Sequence, residues 1–453
     1  MPFDTVSSLD PSKRLEQHHF HLQPGDTALK VSIIAGLLLT VFLSLHWQAF
    51  QPVLRTASEY GWMRFIVHPA VLWMAMGTLM LLFRTLLWFR YRTPDAAGYS
   101  DAPSLTVVIP AYNEGPMVAQ SIDSVAAAYY PRGRLEIFVV DDGSNDDTWE
   151  HIRAAAARYP ELVTTVRFEH NRGKRAALEA GFRKARGAVV VTIDSDSVID
   201  ADSLLAMAGP FRDPKVGAVA GRVTVYNCEG GLIPRMLKVR YALSFDYLRA
   251  VQSTYGTVYC CPGALAGYRT SVVREVLDEW MQQTFLGAAC TYGEDRSMTN
   301  YILSRGYDTL YQRAAIVRTM VPITYKQLCK MFLRWDRSYV REELRFAWIV
   351  WKRPWRARLI AIADATITNI RYPIGWAVLA LLVTLSIWHP FMLPRFLFAI
   401  GMMACFNMLY YLRSERSWDF IYGIFYSYYS VFALFWIMPY AVFTARARGW
   451  LTR

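Results

Sequence analysis

None of the six cysteines forms a CxxC pair, and their spacing matches no metal-binding pattern. Five of them, Cys228, Cys260, Cys261, Cys290 and Cys329, fall in or beside the middle of the chain, and Cys405 lies further on. That middle is read below as cytosolic, so reduced thiols are expected rather than disulfides. Long basic tracts are also missing. The 49 Lys and Arg against 37 Asp and Glu leave a net charge of +12, yet no run has the form of a nucleic-acid-binding arm. A cleaved leader is not expected either. Residues 1–28 are polar, and the first apolar run lacks a small-residue cleavage site.

What the chain has in excess is apolar surface. Hydrophobic residues make up 54% and aromatics 15%, and mean hydropathy is positive at +0.16. The excess sits in two blocks, residues 31–88 and 366–443, around a stretch of ordinary globular composition. Val31–Phe50 and Phe65–Phe83 each have about the ~20 residues of a bilayer-spanning helix. Basic residues flank the apolar runs: Lys13 and Arg14, then Arg84, Arg90 and Arg92, then Arg353, Arg356 and Arg358, then Arg446 and Arg448. The positive-inside rule places residues 1–28 and the chain after Arg84 in the cytoplasm. Thr366–Trp388 and Phe396–Tyr411 read as two further spans. Phe420–Phe443 is flanked by basic residues on both sides, which favours an interfacial or re-entrant helix over a fifth span. Residues 231–250 and 328–351 mix Arg, Lys and aromatics at helical spacing, as membrane-interface helices do. A surface helix of the soluble part is the alternative.

From Ser104 to about Leu328 strands and helices alternate. Strands are expected at Leu105–Ile109, Leu135–Val140, Val163–Phe168 and Ala188–Ile193. Helices are expected at Val118–Tyr129, Trp149–Arg158 and Ala176–Ala185. This pattern predicts βαβ units and a mainly parallel sheet, with ligands beyond the carboxyl ends of the strands. Three strands run into polar tips: Pro110-Ala111-Tyr112-Asn113-Glu114-Gly115, Asp141-Asp142-Gly143-Ser144-Asn145-Asp146 and Asp194-Ser195-Asp196-Ser197. A strand-end carboxylate can accept hydrogen bonds from a ribose or base, or ligate a hard cation. Asp194 and Asp196 fall on one side of an extended segment. Such a pair suits one Mg²⁺ or Mn²⁺ that completes its shell with phosphate oxygens. One DxD is weak by itself; three acidic strand ends in this order are more specific.

Val108–Gly115, Val139–Asp146 and Asp194–Asp196 together resemble the family 2 inverting glycosyltransferases of GT-A fold. Asn171-Arg172-Gly173-Lys174-Arg175, Cys260-Cys261-Pro262-Gly263 through Tyr268-Arg269, and Gly293-Glu294-Asp295-Arg296 through Thr299-Asn300 are similar to hyaluronan synthases and rhizobial chito-oligosaccharide synthases. Leu333-Arg334-Trp335, then Arg337-Ser338 and Arg341-Glu342, continue the likeness. So does the tail Arg448-Gly449-Trp450-Leu451-Thr452-Arg453, which looks like their gating loop. The likeness covers roughly residues 104–345 plus the tail; cellulose and chitin synthases are more distant.

The resemblance implies an α/β GT-A domain, Rossmann-like, inserted between transmembrane helices and carried on interfacial amphipathic helices. The chain then divides into a cytoplasmic segment (1–30), two transmembrane helices (31–92), the transferase domain (104–328), an interfacial helix with the Arg-Trp motif (329–356), C-terminal transmembrane and interfacial helices (357–443) and the gating-loop-like tail (444–453). It implies Asp295, next to Glu294, as the base that deprotonates the acceptor hydroxyl. An ion pair of Asp295 with the adjacent Arg296 or another basic residue is the plainer alternative. It implies donor contacts at Ala111, Tyr112, Glu114, Asp141, Asp142, Lys174, Asp194, Ser195 and Arg334, with Trp450, Thr452 and Arg453 closing over the diphosphate. Asp196, helped by Asp194, would hold Mn²⁺ or Mg²⁺. Cys261, Gly263 and Trp335 would meet the acceptor sugar, although Trp335 could equally be an interfacial anchor. The pattern departs from the family at Met331, where the relatives have Gln, and at Leu451, where they usually have Gly.

The function expected is a processive polymerisation of UDP-sugars, with UDP-N-acetylglucosamine alone or with UDP-glucuronic acid, and extrusion through the protein's own helices. The partners are a UDP-sugar, the growing polysaccharide and membrane lipid, with no nucleic acid; no motif specifies an oligomer. A bacterial inner or plasma membrane is the expected location. A non-processive membrane transferase adding one or a few sugars is the first alternative. A non-catalytic transporter or scaffold is the second, and the intact Asp142, Asp196, Asp295 and Arg334 speak against it.

Overall fold

The computed structural model describes residues 26–447, apart from positions 47–50, 52–54, 56–58, 60, 63 and 391. Lys13 and Arg14, and the tail with Trp450, Leu451, Thr452 and Arg453, lie outside the described residues.

Two helices, α1 (Asp26–His46) and α2 (Arg64–Arg90), precede the sheet. Its first part alternates as the pattern predicts: β1 (Leu105–Ala111), α3 (Met117–Ala126), β2 (Leu135–Asp141), α4 (Thr148–Arg158), β3 (Val163–Arg167), α5 (Lys174–Lys184) and β4 (Val189–Thr192). There follow β5 (Ser197–Ile199), α6 (Ser203–Ala208), β6 (Val216–Val225), α7 (Leu232–Tyr241), α8 (Leu248–Ser253), β7 (Ala266–Arg269) and α9 (Thr270–Met281). A two-residue-per-strand hairpin, β8 (Thr284–Phe285) and β9 (Ala288–Ala289), leads to α10 (Glu294–Ser304) and the long β10 (Asp308–Thr319).

Eight strands make one sheet in the order β3-β2-β1-β4-β7-β6-β10-β5. The pairs among β1 to β4, and β6 with β10, are parallel. Strand β7 enters antiparallel between β4 and β6, and β5 pairs antiparallel with β10. The sheet is thus mainly parallel with two reversed strands, which local alternation alone could not reveal. Side chains alternate across it with period two. Val107, Ile109, Ile137, Val139, Val189 and Val191 enter one core. Val108, Phe138, Val140 and Val190 enter the other. Every residue of β1 is buried, as expected for a strand covered on both faces. Each such aliphatic side chain contributes roughly 1.5–3 kcal/mol on burial.

After the sheet come α11 (Tyr325–Ile349), α12 (Trp355–Trp388), α13 (Met392–Glu415), α14 (Phe420–Ala433) and α15 (Ile437–Phe443). A capping box of Thr324 and Gln327 starts α11. Trp355–Trp388 and Leu393–Glu415 are long and apolar enough to cross a membrane. The expected span Thr366–Trp388 is thus the later part of a helix of 34 residues that begins at Trp355. Helices α14 and α15 are bent by 48° at a short break, as a broken span or a re-entrant loop would be. Residues 31–46 of the expected span 31–50 fall on α1, with 47–50 outside the described residues, and the expected span 65–83 falls on α2. Between α7 and α8, Ala242–Tyr247 forms a π-helical turn, an irregularity frequent at functional sites.

Polar contacts fasten the long helices to one another and to the N-terminal pair. Arg84 on α2 pairs with Asp364 on α12 at 2.6 Å. The hydroxyls of Thr85 and Tyr410 lie 2.6 Å apart. Arg413 on α13 reaches Asp26 on α1 at 2.9 Å, with its guanidinium 4.0 Å from the Trp88 ring. Breaking such buried pairs on one side only is strongly destabilising.

Candidate active site

The acidic tips gather at the carboxyl ends of β1, β2 and β4. After β1 the chain turns with Asn113 in the left-handed region at φ 53°. The Asn113 N–H donates to Ser144 Oγ at 3.0 Å, and the Asn145 N–H donates to Asn113 Oδ1 at 2.9 Å. Thr148 Oγ1 accepts from the N–H groups of Glu114 and Gly115, both at 2.8 Å. The first two tips are therefore stitched together. Gly143 is required at φ 70°, where a Cβ would come within 2.6 Å of the His170 carbonyl carbon.

Asp141 and Asp142 are both buried. Asp141 accepts from the Ser144 N–H at 3.1 Å and pairs with Arg167 at 3.2 Å. Asp142 accepts from two backbone N–H groups, Arg172 at 2.7 Å and Gly173 at 2.8 Å. Burial pushes the Asp142 carboxyl above the usual carboxylate range, and those N–H groups pull against it. Both side chains thus organise the strand end and the Asn171–Gly173 loop. Ala111 and Ser195 are buried as well, and Tyr112 and Glu114 are half-buried beside them.

Across the cleft, Lys174 Nζ sits 2.5 Å from Asp194 and 3.2 Å from Glu294. Burial works against the ammonium, but Asp194, Glu294 and Asp295 raise its pKa above the ordinary lysine value. Gly263 lies so near that a Cβ there would be 3.2 Å from Lys174 Nζ and 3.4 Å from Asp194. Glu294 and Asp295 open α10 behind Gly293, at φ 80°. A Cβ on Gly293 would stand 1.9 Å from Ser338 Oγ, so α10 begins pressed against α11. The two neighbouring acids differ. Burial opposes the charge of Glu294, yet Lys174 and Arg334 hold its pKa below the usual range. Burial first, and the charge of Glu294 second, push Asp295 above it. Asp295 accepts from the Arg296 N–H at 2.7 Å, from the Gly263 N–H at 3.4 Å and from the Cys260 thiol at 3.5 Å. The Arg296 guanidinium goes elsewhere, to Glu343 at 2.9 Å. The ion-pair alternative for Asp295 is therefore not what the side chains adopt.

One cavity of about 1100 Å³ joins these groups. Lys174, Asp194, Asp196, Gly263, Glu294 and Asp295 line one end, followed by Arg334 and Trp335 on α11. The cavity then continues between Arg84, Thr368, Tyr372, Asn407 and Tyr426 of the long helices. Trp335 packs against Tyr241, Phe245 and Phe332 at ring distances of 6.1, 6.2 and 5.7 Å. Cys261 is fully buried, and its N–H donates to Thr299 at 3.0 Å. Asp196 is buried, and its Oδ1 accepts from Ser197 and Thr319, each at 3.1 Å. Among the described residues no three metal-type side chains cluster. Two carboxylates on one cavity wall still fit a hard cation whose other ligands come from a diphosphate and water.

Several participants carry no obvious signal in the sequence. Cys260 lies inside a quoted motif, but its donation to Asp295 is visible only in the fold. Tyr292, just before the Gly293-Glu294-Asp295 motif, donates its hydroxyl to the Ala447 carbonyl at 2.8 Å, and its own carbonyl accepts from Arg341 at 2.7 Å. Arg337 donates to Thr444 at 3.0 Å. The chain leading to the tail is thus held beside the Gly293-Glu294-Asp295 segment. Glu342 accepts from Gln283 at 2.6 Å and from Asn300 at 2.9 Å, which makes it a clamp between α10 and α11.

The mixed sheet is GT-A-like, and its carboxylates gather beyond the carboxyl ends of the strands, where ligands of such sheets bind. Residues 106–277 match glycosyl transferase family 2. An N-acetylglucosaminyltransferase of Azorhizobium caulinodans is 31% identical over 365 residues, covering 79% of this chain and 91% of that protein. An N-acetylglucosaminyltransferase of Rhizobium meliloti is 38% identical over 242 residues, covering 53% of this chain and 56% of that protein. The hyaluronan synthase of Streptococcus pyogenes is 35% identical over 245 residues, covering 53% and 58%. The match thus runs nearly the whole length of the first relative and little more than half of the other two. The chain belongs to glycosyl transferase family 2 and is a hexosyltransferase.

Proposed function

We propose that this protein is a processive inverting transferase that builds an N-acetylglucosamine-containing polymer from a UDP-sugar and passes it into a membrane channel of its own. The observation that carries the reading is the single cavity that holds Asp295 and Lys174 at one end and the long apolar helices at the other. Relatives named as N-acetylglucosaminyltransferases and a hyaluronan synthase support the donor class.

In this reading Asp295 takes the proton from the acceptor hydroxyl. The freed oxygen attacks the anomeric carbon, the bond from that carbon to the diphosphate breaks, and UDP leaves with inversion. A base must be ionised to act, and a raised pKa makes it a stronger proton acceptor once it is. Lys174 and Arg334 bring fixed positive charge to the leaving diphosphate. Asp194 and Asp196 would hold Mn²⁺ or Mg²⁺, which neutralises diphosphate charge when bound. Asp141 and Asp142 hold the nucleoside side, the latter by fixing the Asn171–Gly173 loop. Ala111, Tyr112, Glu114 and Ser195 complete that wall. Trp335 stacks on the acceptor sugar, with Cys261 and Gly263 shaping the floor. The tail with Trp450, Thr452 and Arg453 closes over the diphosphate, its approach held by Tyr292 and Arg337. Catalysis then faces the cytoplasm of a bacterial inner membrane, and the product leaves on the other side.

A non-processive transfer is the second reading, favoured by Met331. Its sulfur accepts from the Tyr241 hydroxyl at 3.9 Å, a weaker contact than an amide makes. The test is UDP release by the purified full chain with Mn²⁺, donor by donor and in pairs, with products sized on a gel. Release with UDP-N-acetylglucosamine and a long product supports polymerisation. One- or two-sugar products establish the second reading, and no release from any UDP-sugar overturns both.

A further inference from the structure

Past Trp335 the cavity lining includes several oppositely charged pairs. Arg84 is set against Asp364 at 2.6 Å, and Arg296 against Glu343 at 2.9 Å. The third pair is looser. Asp336, the residue after Trp335, lines the cavity together with Arg240 of α7. Arg240 and Arg296 both favour its charge, but no hydrogen bond or ion pair reaches its carboxylate among the described residues. Arg240 also lies near the Tyr426 hydroxyl of α14. Every other carboxylate named along this cavity has a close partner; Asp336 is placed to find one in whatever fills the passage. Further cations line the cavity: Arg249 is buried and donates to Gln252 at 2.7 Å, and Arg371 is exposed on α12, 3.4 Å from the Tyr372 hydroxyl.

The position decides what Asp336 would meet. Trp335 offers an aromatic face for one sugar ring, and Asp336 lines the same cavity, so a chain passing Trp335 comes within its reach. An ionised carboxylate only accepts hydrogen bonds. Sugar hydroxyls and an acetamido N–H donate them; a uronate carboxylate does not. Asp336 also offsets the charge of Arg240, and among the described residues Arg249 and Arg371 are left with neutral partners only. Like charges brought together in a confined site are costly, which is how such sites reject wrong partners. Burial pushes the Asp336 carboxyl up to about 7, against the pull of Arg240 and Arg296. The ionised share therefore grows as pH rises above neutral.

We propose that Asp336 makes the acceptor passage selective for an uncharged amino-sugar chain and against one that carries uronate. The inference rests on the polymer-forming reading above and narrows its product class from hyaluronan-like to chitin-like.

The test uses the full-length purified protein turning over UDP-N-acetylglucosamine at pH 8. Two competitors of equal length are titrated, an oligomer of N-acetylglucosamine and an oligomer alternating N-acetylglucosamine with glucuronic acid. The wild type is expected to bind the neutral one more tightly by about tenfold, the size of one unfavourable charge contact. In Asp336→Asn and Asp336→Ser the ratio is expected to fall to about two- or threefold, through tighter binding of the uronate oligomer. Asp336→Glu, which keeps the charge, is expected to restore the wild-type preference. A ratio unchanged in both neutral variants overturns the proposal, as does a wild type that prefers the uronate oligomer or ignores both. Wild-type turnover with an unchanged ratio removes this inference alone. Absence of UDP release from UDP-N-acetylglucosamine removes the parent reading as well.

Discussion

Asp142 is buried and Asp295 half-buried, each at the end of a regular element, and desolvation raises the pKa of each. Their surroundings differ. Asp142 accepts two short bonds from backbone N–H groups, at 2.7 and 2.8 Å. Asp295 accepts one short bond, from Arg296, and two long ones, at 3.4 and 3.5 Å. It also carries the repulsion of Glu294 beside it. A carboxylate saturated by main-chain donors has little capacity left for chemistry and acts as a brace. One that is underbonded and crowded by a like charge gains by taking a proton. The contrast separates a scaffold acid from a reactive one in the same cleft.

The largest effect that could break this contrast is at Asp295. Asp295→Asn should lower UDP release by about 10³-fold, within the range typical of a positioned base, while UDP binding by calorimetry stays within about threefold. Retained turnover would mean the base is misassigned. Asp142→Asn should act through the other route. Losing a charged acceptor for two part-buried N–H groups should cost about 1 kcal/mol of stability. The Michaelis constant for the donor should rise about tenfold, with a smaller change in kcat. If Asp142→Asn instead left stability intact and removed turnover, Asp142 would be the reactive acid.

The pH profile sharpens the comparison further. Asp295 must be ionised to accept a proton, so kcat/KM should fall as pH drops through its pKa in the free enzyme. That acid limb should lie above the position of an ordinary aspartate. Glu294→Gln removes the neighbouring negative charge, lowers the pKa of Asp295 and should move the limb to lower pH. No movement would mean that Glu294 does not govern the base.

Much of the contrast was hidden in the sequence, and the reason is physical. The strands β1 to β4 and the acidic tips were legible because period-two burial and strand-end carboxylates are local patterns. Lys174, Asp194 and Asp295 were singled out from motifs, and the fold brings them together. The insertion of β7 between β4 and β6 was not legible, since antiparallel pairing across 70 residues leaves no local trace. Nor was the occupation of Asp142 by the N–H groups of Arg172 and Gly173, which depends on Gly143 and the Asn171–Gly173 loop meeting in space. Arg296 sits next to Asp295 in sequence, yet its side chain points to Glu343 on another helix. Helix geometry explains this, because neighbours in sequence on a helix do not face each other. The length of α12 was misread by its first turns, where Arg356 and Arg358 interrupt the apolar run without interrupting the helix.

The smallest expected effect tests the weakest bond in the comparison. Cys260 donates its thiol to Asp295 at 3.5 Å, and burial pushes that thiol well above its ordinary pKa, so it remains a donor at any working pH. A thiol is a weak donor, and a neutral hydrogen bond is worth only about 0.5–1.5 kcal/mol net. Cys260→Ala should therefore change kcat by no more than about threefold. Its sign is the informative part. The thiol favours the ionised carboxylate, so removing it raises the pKa of Asp295 and moves the acid limb to higher pH, opposite to Glu294→Gln. Cys260→Ser supplies a better donor and should move the limb back toward or below the wild-type position. Limbs that shift in opposite directions for Glu294→Gln and Cys260→Ala would tie the profile to Asp295 itself. Shifts in the same direction would mean that the limb reports another group in the cleft.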